Sequence, residues 1–208
     1  MPVERLTPER RRQLTRDALV AAAAEVFTAK GFHAASLDEI ADAAGFTRGA
    51  IYSNFGSKEE LLFAVYDRLD DMSLAGMADA MDERGGDPVE DATAAAEVWS
   101  GLLGRSRDVI ALSLELRLYA LRNPEARERL VKLEQQATDK LAGFIEDTFA
   151  RQGMQLRTPA KQLAELGRAG VNGLEEAAAV DEENAAHYRE LIQTLFVLLA
   201  RAAAGSYA

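Results

Sequence analysis

The sequence predicts an all-α protein of about nine helices, with three N-terminal helices set apart from a larger helical domain. Three observations lead there. Apolar residues recur with a 3.6-residue period along most of the chain. No segment alternates apolar and polar residues between turn signals, as a half-buried strand does. Helix start signals (Ser, Thr or Pro before an apolar run) and glycine stop signals punctuate the pattern at helix-sized intervals.

Thr7-Pro8 opens the first helix, a capping hydroxyl followed by proline at the first helical position, and Gly31 ends it. Its inward stripe is Leu19, Ala22, Ala23, Val26 and Phe27. Ser36 and Glu39 have the spacing of a capping box, and Leu37, Ile40, Ala41 and Ala44 form the apolar face of a short second helix that Gly45 terminates. Thr47 is the expected N-cap of a third helix whose inward pair is Ile51 and Phe55. Ser57 and Glu60 repeat the box spacing and open a long fourth helix with Leu61, Val65, Leu69 and Met72 on one side. After the turn residues Gly85-Gly86-Asp87-Pro88, helices are expected near 88–103, 107–122, 124–151, 159–179 and 184–204. Asn123-Pro124 and Thr158-Pro159 start two of them, and Val109 to Leu121 is apolar on nearly all sides, as a helix central to its domain would be.

Composition narrows the function. The N-terminus is charged from Glu4 onward, and no apolar run approaches the roughly 18 residues of a membrane span, so a cytoplasmic protein without a membrane partner is expected. With no cysteine and only His33 and His187, neither a thiolate metal site nor histidine-dependent acid–base chemistry is expected. No clustered nucleophile and base or phosphate loop is present, so no enzyme, metal or cofactor is expected. The net charge of −10 disfavours a sequence-tolerant polyanion binder. Most of that acidity lies beyond residue 60, however, because residues 1–60 carry eight basic and nine acidic side chains. Arg5, Arg10, Arg11, Arg12 and Arg16 cluster at the start, and Gly45 to Lys58 contains no acid.

Two short capped helices joined by a glycine turn and roofed by a longer one have the layout of a helix-turn-helix. With Ile51 and Phe55 inward, the third helix presents Thr47, Arg48, Gly49, Tyr52 and Ser53 on its opposite face. Arg48 suits guanine O6 and N7, Gly49 allows close backbone approach, and Tyr52 can reach a phosphate. The helix N-termini at Ser36 and Ser57 and the point charge of Lys58 would fix register on a sugar–phosphate backbone. On spacing alone, the same pattern also fits an ordinary helical core with solvated surface charges.

The stretch Gly31-Phe32, Ser36-Leu37-Asp38-Glu39-Ile40-Ala41, Ala44-Gly45-Phe46-Thr47-Arg48-Gly49-Ala50-Ile51-Tyr52, Asn54-Phe55 and Ser57-Lys58-Glu59-Glu60-Leu61-Leu62 closely resembles the N-terminal domain of the tetracycline-repressor (TetR) family. The resemblance covers residues from about 10 to 62. It implies a homodimeric transcriptional regulator, in most members a repressor, that binds a palindromic operator and is released by a small molecule. It further implies a DNA-binding domain over residues 1–56, a linking fourth helix, and a ligand-binding and dimerisation domain over 57–208. Ser36, Thr47, Arg48, Gly49, Tyr52, Asn54 and Lys58 are then the expected DNA contacts. Asn54 is a departure, because the family's tyrosine-x-histidine-phenylalanine signature often has histidine there; asparagine can donate to phosphate without titrating.

In the second domain, Leu163, Leu166, Gly167, Gly170, Val171 and Leu174 share one helix face. Leu191, Ile192, Leu195, Phe196, Leu198 and Leu199 cover an arc of the last helix too wide for one packing contact. Leu163, Gly167, Gly170, Leu174, Leu191, Leu195 and Leu199 are therefore the expected dimer interface, and the resemblance implies that these two helices meet their symmetry mates in a four-helix bundle. Tyr66, Met72, Trp99, Leu116, Tyr119 and Phe144, with Phe149, are read either as lining an effector pocket or as plain core. Glu115 either binds an effector or pairs with Arg117, Arg122 or a neighbouring helix; Asn172 and Glu176, one turn apart, are further pocket candidates.

Overall fold

A computed structural model describes residues 7–82, 107–151 and 153–204. Among these residues every regular element is helical. The elements are α1 (Pro8–Ala34), α2 (Leu37–Ala44), α3 (Arg48–Phe55), α4 (Lys58–Asp82), α5 (Arg107–Arg122), α6 (Pro124–Arg151), α7 (Ala160–Val180) and α8 (Ala185–Ala204), with a 3₁₀ turn, Glu182–Asn184, before α8. The helix expected at 88–103, and Trp99 within it, lie outside the described residues.

The first helices form where their caps dictate. Thr7 Oγ1 accepts the Arg10 N–H at 3.2 Å, and Pro8 supplies the preset first turn. Gly31 breaks α1 with φ +77°, leaving one short turn before Ala35. At α2 the capping box is complete: Ser36 Oγ accepts from Glu39 N–H at 3.2 Å, and Glu39 Oε2 accepts from Ser36 N–H at 3.0 Å. Gly45, left-handed, closes α2, and the chain re-enters a helix three residues later.

Two expected caps differ in detail. Thr47 occupies the N-cap position of α3, but its hydroxyl makes no cap bond. Ser57 Oγ accepts from Glu60 N–H at 3.1 Å, whereas the Glu60 carboxylate pairs with Arg129 of α6, so α4 has half a box. A strong cation from another helix outcompetes one neutral N–H for that carboxylate.

One apolar cluster runs from α1 to α6. Leu19, Phe27, Ile40, Ile51, Leu61 and Val65 are fully buried and join Leu112 and Leu116 of α5 and Leu130 of α6. The α4 stripe leaves the core before Met72, which is 55% exposed. Ile110, Leu112, Leu116 and Ala120 of α5 are buried, whereas Leu114, Leu118 and Leu121 are exposed; among the described residues α1, α6 and α7 pack on this helix.

α7 and α8 pack as a hairpin, with Phe149 of α6, Leu163 of α7 and Ala203 of α8 in a small core at one end. A Cβ on Gly170 would lie 2.5 Å from Leu195 Cδ2, and one on Gly167 would lie 3.4 Å from Leu199 Cδ1. The expected close approach at these glycines is therefore made by the chain's own α8. Within one chain Leu163, Gly167, Gly170, Leu195 and Leu199 thus take part in packing α7 and α8; Leu163 is buried, Gly167, Gly170, Leu174, Leu195 and Leu199 are half-buried, and Leu191, at 36% exposure, faces out.

Candidate nucleic-acid interface

Ile51 and Phe55 are buried under α1 and α4, which turns the opposite face of α3 outward. Thr47, Arg48, Gly49, Tyr52 and Ser53 are all exposed there, Tyr52 to 46%. Nothing but Thr47 Oγ1, at an ordinary 3.6 Å, would meet a Cβ on Gly49, so the backbone at this turn is open. The guanidinium of Arg48 bridges two helices: Nη1 donates to Asp38 Oδ2 at 3.2 Å and Nη2 to Tyr52 Oη at 3.1 Å. These bonds and the Asp38 charge raise its pKa further, with the Tyr52 hydrogen bond the largest cause.

The remaining expected contacts are more engaged. The Ser36 hydroxyl is committed to the α2 cap. Asn54 is half-buried, and its Nδ2 donates to Ala50 O at 2.8 Å, which leaves one N–H, 3.5 Å from Ser53 Oγ, to offer a phosphate. Lys58 places its ammonium 4.6 Å from the Phe32 ring centre and 3.5 Å from His33 O. Burial lowers its pKa, against the opposing pull of Glu59 and Glu115. Lys58 therefore sits, partly exposed, at the α1–α2 corner.

Arg16 supports α3 in a way that composition alone did not distinguish within its basic cluster. Its Nη1 donates to Asn54 O at 3.1 Å, and its guanidinium stacks 4.3 Å from the Phe55 ring centre. It thereby neutralises the C-terminal carbonyls of α3 and fixes the tilt of the presented face.

Among the pocket candidates, two groups separate. Tyr66 is buried, with its hydroxyl donating to Glu134 Oε1 at 3.3 Å; Glu134 also pairs with Arg117 at 2.9 Å. Burial, with Asp70 and Glu134 nearby, pushes the Tyr66 phenol up to about 12. Arg117 continues to a cleft lined by Ile110, Ser113, Asn172, Glu175 and Glu176, whose free volume of about 10 Å³ suits one water. Glu115, Leu116 and Tyr119 instead turn toward the N-terminal helices. Glu115 Oε2 accepts the Phe32 N–H at 2.7 Å, Leu116 is in the shared core, and the Tyr119 ring centre lies 6.3 Å from that of Phe32. Glu115 thus pairs with a neighbouring helix, one of its two expected roles. Phe144 is half-buried on α6, and the exposed Met72 lines neither group.

Residues 19–65, spanning the inner half of α1 to the first turns of α4, match the family model of bacterial regulatory proteins, tetR family. The chain carries the N-terminal domain of the tetR family. Two curated tetR-like relatives agree: the HTH-type transcriptional activator FasR of Mycolicibacterium smegmatis is 46% identical over 66 residues, and the HTH-type transcriptional regulator SrpR of Pseudomonas putida is 53% identical over 51 residues. These matches cover 32% and 24% of this chain and only 30% and 24% of the relatives, so the chain spans less than a third of either.

The tetR-family fold extends further than the sequence likeness. Bacillus subtilis FadR in complex with stearoyl-CoA superposes with a TM-score of 0.65 at 18% identity, covering 89% of this chain and 98% of that one. Thermus thermophilus FadR, a TetR-family repressor in complex with lauroyl-CoA, gives 0.63 at 21% identity, covering 90% and 94%. At such identities the likeness shows the fold.

Proposed function

We propose that this tetR-family chain is a transcriptional repressor that binds a palindromic operator as a homodimer and is released by a small molecule. The observation that carries the proposal is the open Thr47–Arg48–Gly49–Tyr52 face of α3, held in place from behind by Ile51, Phe55 and Arg16. In this reading residues 1–56 bind DNA, and residues 57–208 bind the effector and the second copy. Thr47, Arg48, Gly49 and Tyr52 approach the major groove, while Ser36, Asn54 and Lys58 flank the phosphates. The dimer face is the side of α7 and α8 that carries Leu163, Gly167, Gly170, Leu174, Leu191, Leu195 and Leu199, extended by the exposed Leu166 and Leu198 within one helical turn of Gly170 and Leu195. The Tyr66–Glu134–Arg117 network and the Asn172–Glu176 cleft form the polar part of the effector site.

Selection from a random duplex pool tests the reading, since it needs no prior operator. A palindromic site with half-sites about one helical turn apart is expected. Arg48→Ala should weaken binding to that site by about 1–3 kcal/mol and relax one base pair in each half. Enrichment of no common sequence would overturn the proposal.

A further inference from the structure

Asp38 is a costly residue for this surface. It is exposed at the second position of α2, and the cap of that helix is already complete through Ser36 and Glu39. Its partner Arg48 is the first residue of α3, where the positive end of the helix dipole disfavours a cation. The side chains are 52% and 66% exposed, and ion pairs of that kind add little to stability. A carboxylate on a face that approaches phosphates also weakens general affinity for DNA. An acid in the first turn of α2 is favoured by the helix dipole wherever its side chain points, but the pairing with Arg48 itself adds little to the free protein, so the return on that pairing lies in the complex.

We propose that Asp38 is a specificity-determining residue that acts through Arg48; this rests on the DNA-binding reading above. Asp38 and Tyr52 each take one N–H of the guanidinium, from opposite ends, and so fix its plane across α2 and α3. Arg48 has five N–H donors, and the three left over include a pair for guanine O6 and N7. Asp38 Oδ1 accepts from the exocyclic amine of an adjacent cytosine, the donor that a carboxylate matches in the major groove. Where the neighbouring edge offers only acceptors, the carboxylate repels it. Asp38 therefore lowers affinity for all sequences, and lowers it most for wrong ones.

The test uses the full chain and the same random duplex pool, with Asp38→Asn, Asp38→Ser and Asp42→Asn. Asp42 is exposed one turn further along α2 and loses the same charge without touching Arg48. All three variants should bind a random-sequence duplex more tightly than wild type. Only the two Asp38 variants should lose discrimination at the Arg48 base pair and its neighbour, by roughly tenfold. Unchanged base preference in both Asp38 variants would overturn the inference while leaving the DNA-binding reading intact. Failure of the wild-type chain to select any site would remove that reading and this inference with it.

Discussion

Gly31 shows how much one residue can decide. Its φ of +77° is strained for any residue with a Cβ, and an added Cβ would lie 2.9 Å from Glu115 Oε1. Glu115 could swing away, but Phe32 N–H would then lose its acceptor. Gly31→Ala should therefore destabilise the fold by about 1–3 kcal/mol through the backbone alone, and by more as the Glu115 bond fails. Glu115→Gln, which keeps an acceptor oxygen, should cost less than Gly31→Ala in urea titrations. A Gly31→Ala variant with the wild-type midpoint would contradict this account. The glycine stop was legible in the sequence from chain chemistry. The Glu115 contact was not, because no periodicity marks a bond between a backbone N–H and a side chain 83 residues away.

The second helix owes its start to Ser36 and Glu39, and this makes it sensitive to acid. Hydrogen bonds from Lys30 first, and then from Ser36, lower the Glu39 pKa from 4.5 to about 2. A depressed folded-state pKa means that this contribution is complete above about 4.5 and disappears as pH falls toward 2. Amide protection at the start of α2, corrected for the intrinsic exchange rate at each pH, should fall across that window in the wild type. In Glu39→Gln that fall should be absent.

α7 and α8 show the other side of legibility. Their helical spans and small residues were readable from the 3.6-residue pattern, but the pattern cannot say whether a partner or the same chain fills a glycine notch. Leu195 fills it here. Gly170→Arg should therefore unfold the hairpin and lower thermal stability. Leu198→Glu, on the exposed side at 57%, should leave the fold of each protomer intact and convert the proposed dimer of twice 22.6 kDa into monomer by light scattering. Dimer mass in Leu198→Glu would place the interface elsewhere.

At the scale of the whole molecule, α1 to α3 are connected among the described residues through the continuous α4 and through α5, which packs on α1 and carries Glu115. An effector that shifts α5 or α4 can then alter the presentation of α3. Its influence on operator affinity cannot exceed its preference between the two arrangements, typically about 5–150-fold. Linkage requires operator DNA to weaken effector binding by the same factor, which paired titrations with and without operator will show; equal effector affinities would exclude release by this route.

The double attachment also bears on recombination between relatives. A chimera that exchanges residues 1–56 moves Gly31 and Phe32 to a new host but leaves Glu115 behind. Such a transplant separates a donor from its acceptor and parts a buried cluster that crosses the junction. Hybrids of this kind should communicate poorly between their halves until the host's fifth helix is given a carboxylate at the level of Phe32, so the exchangeable unit is the N-terminal segment together with one turn of α5.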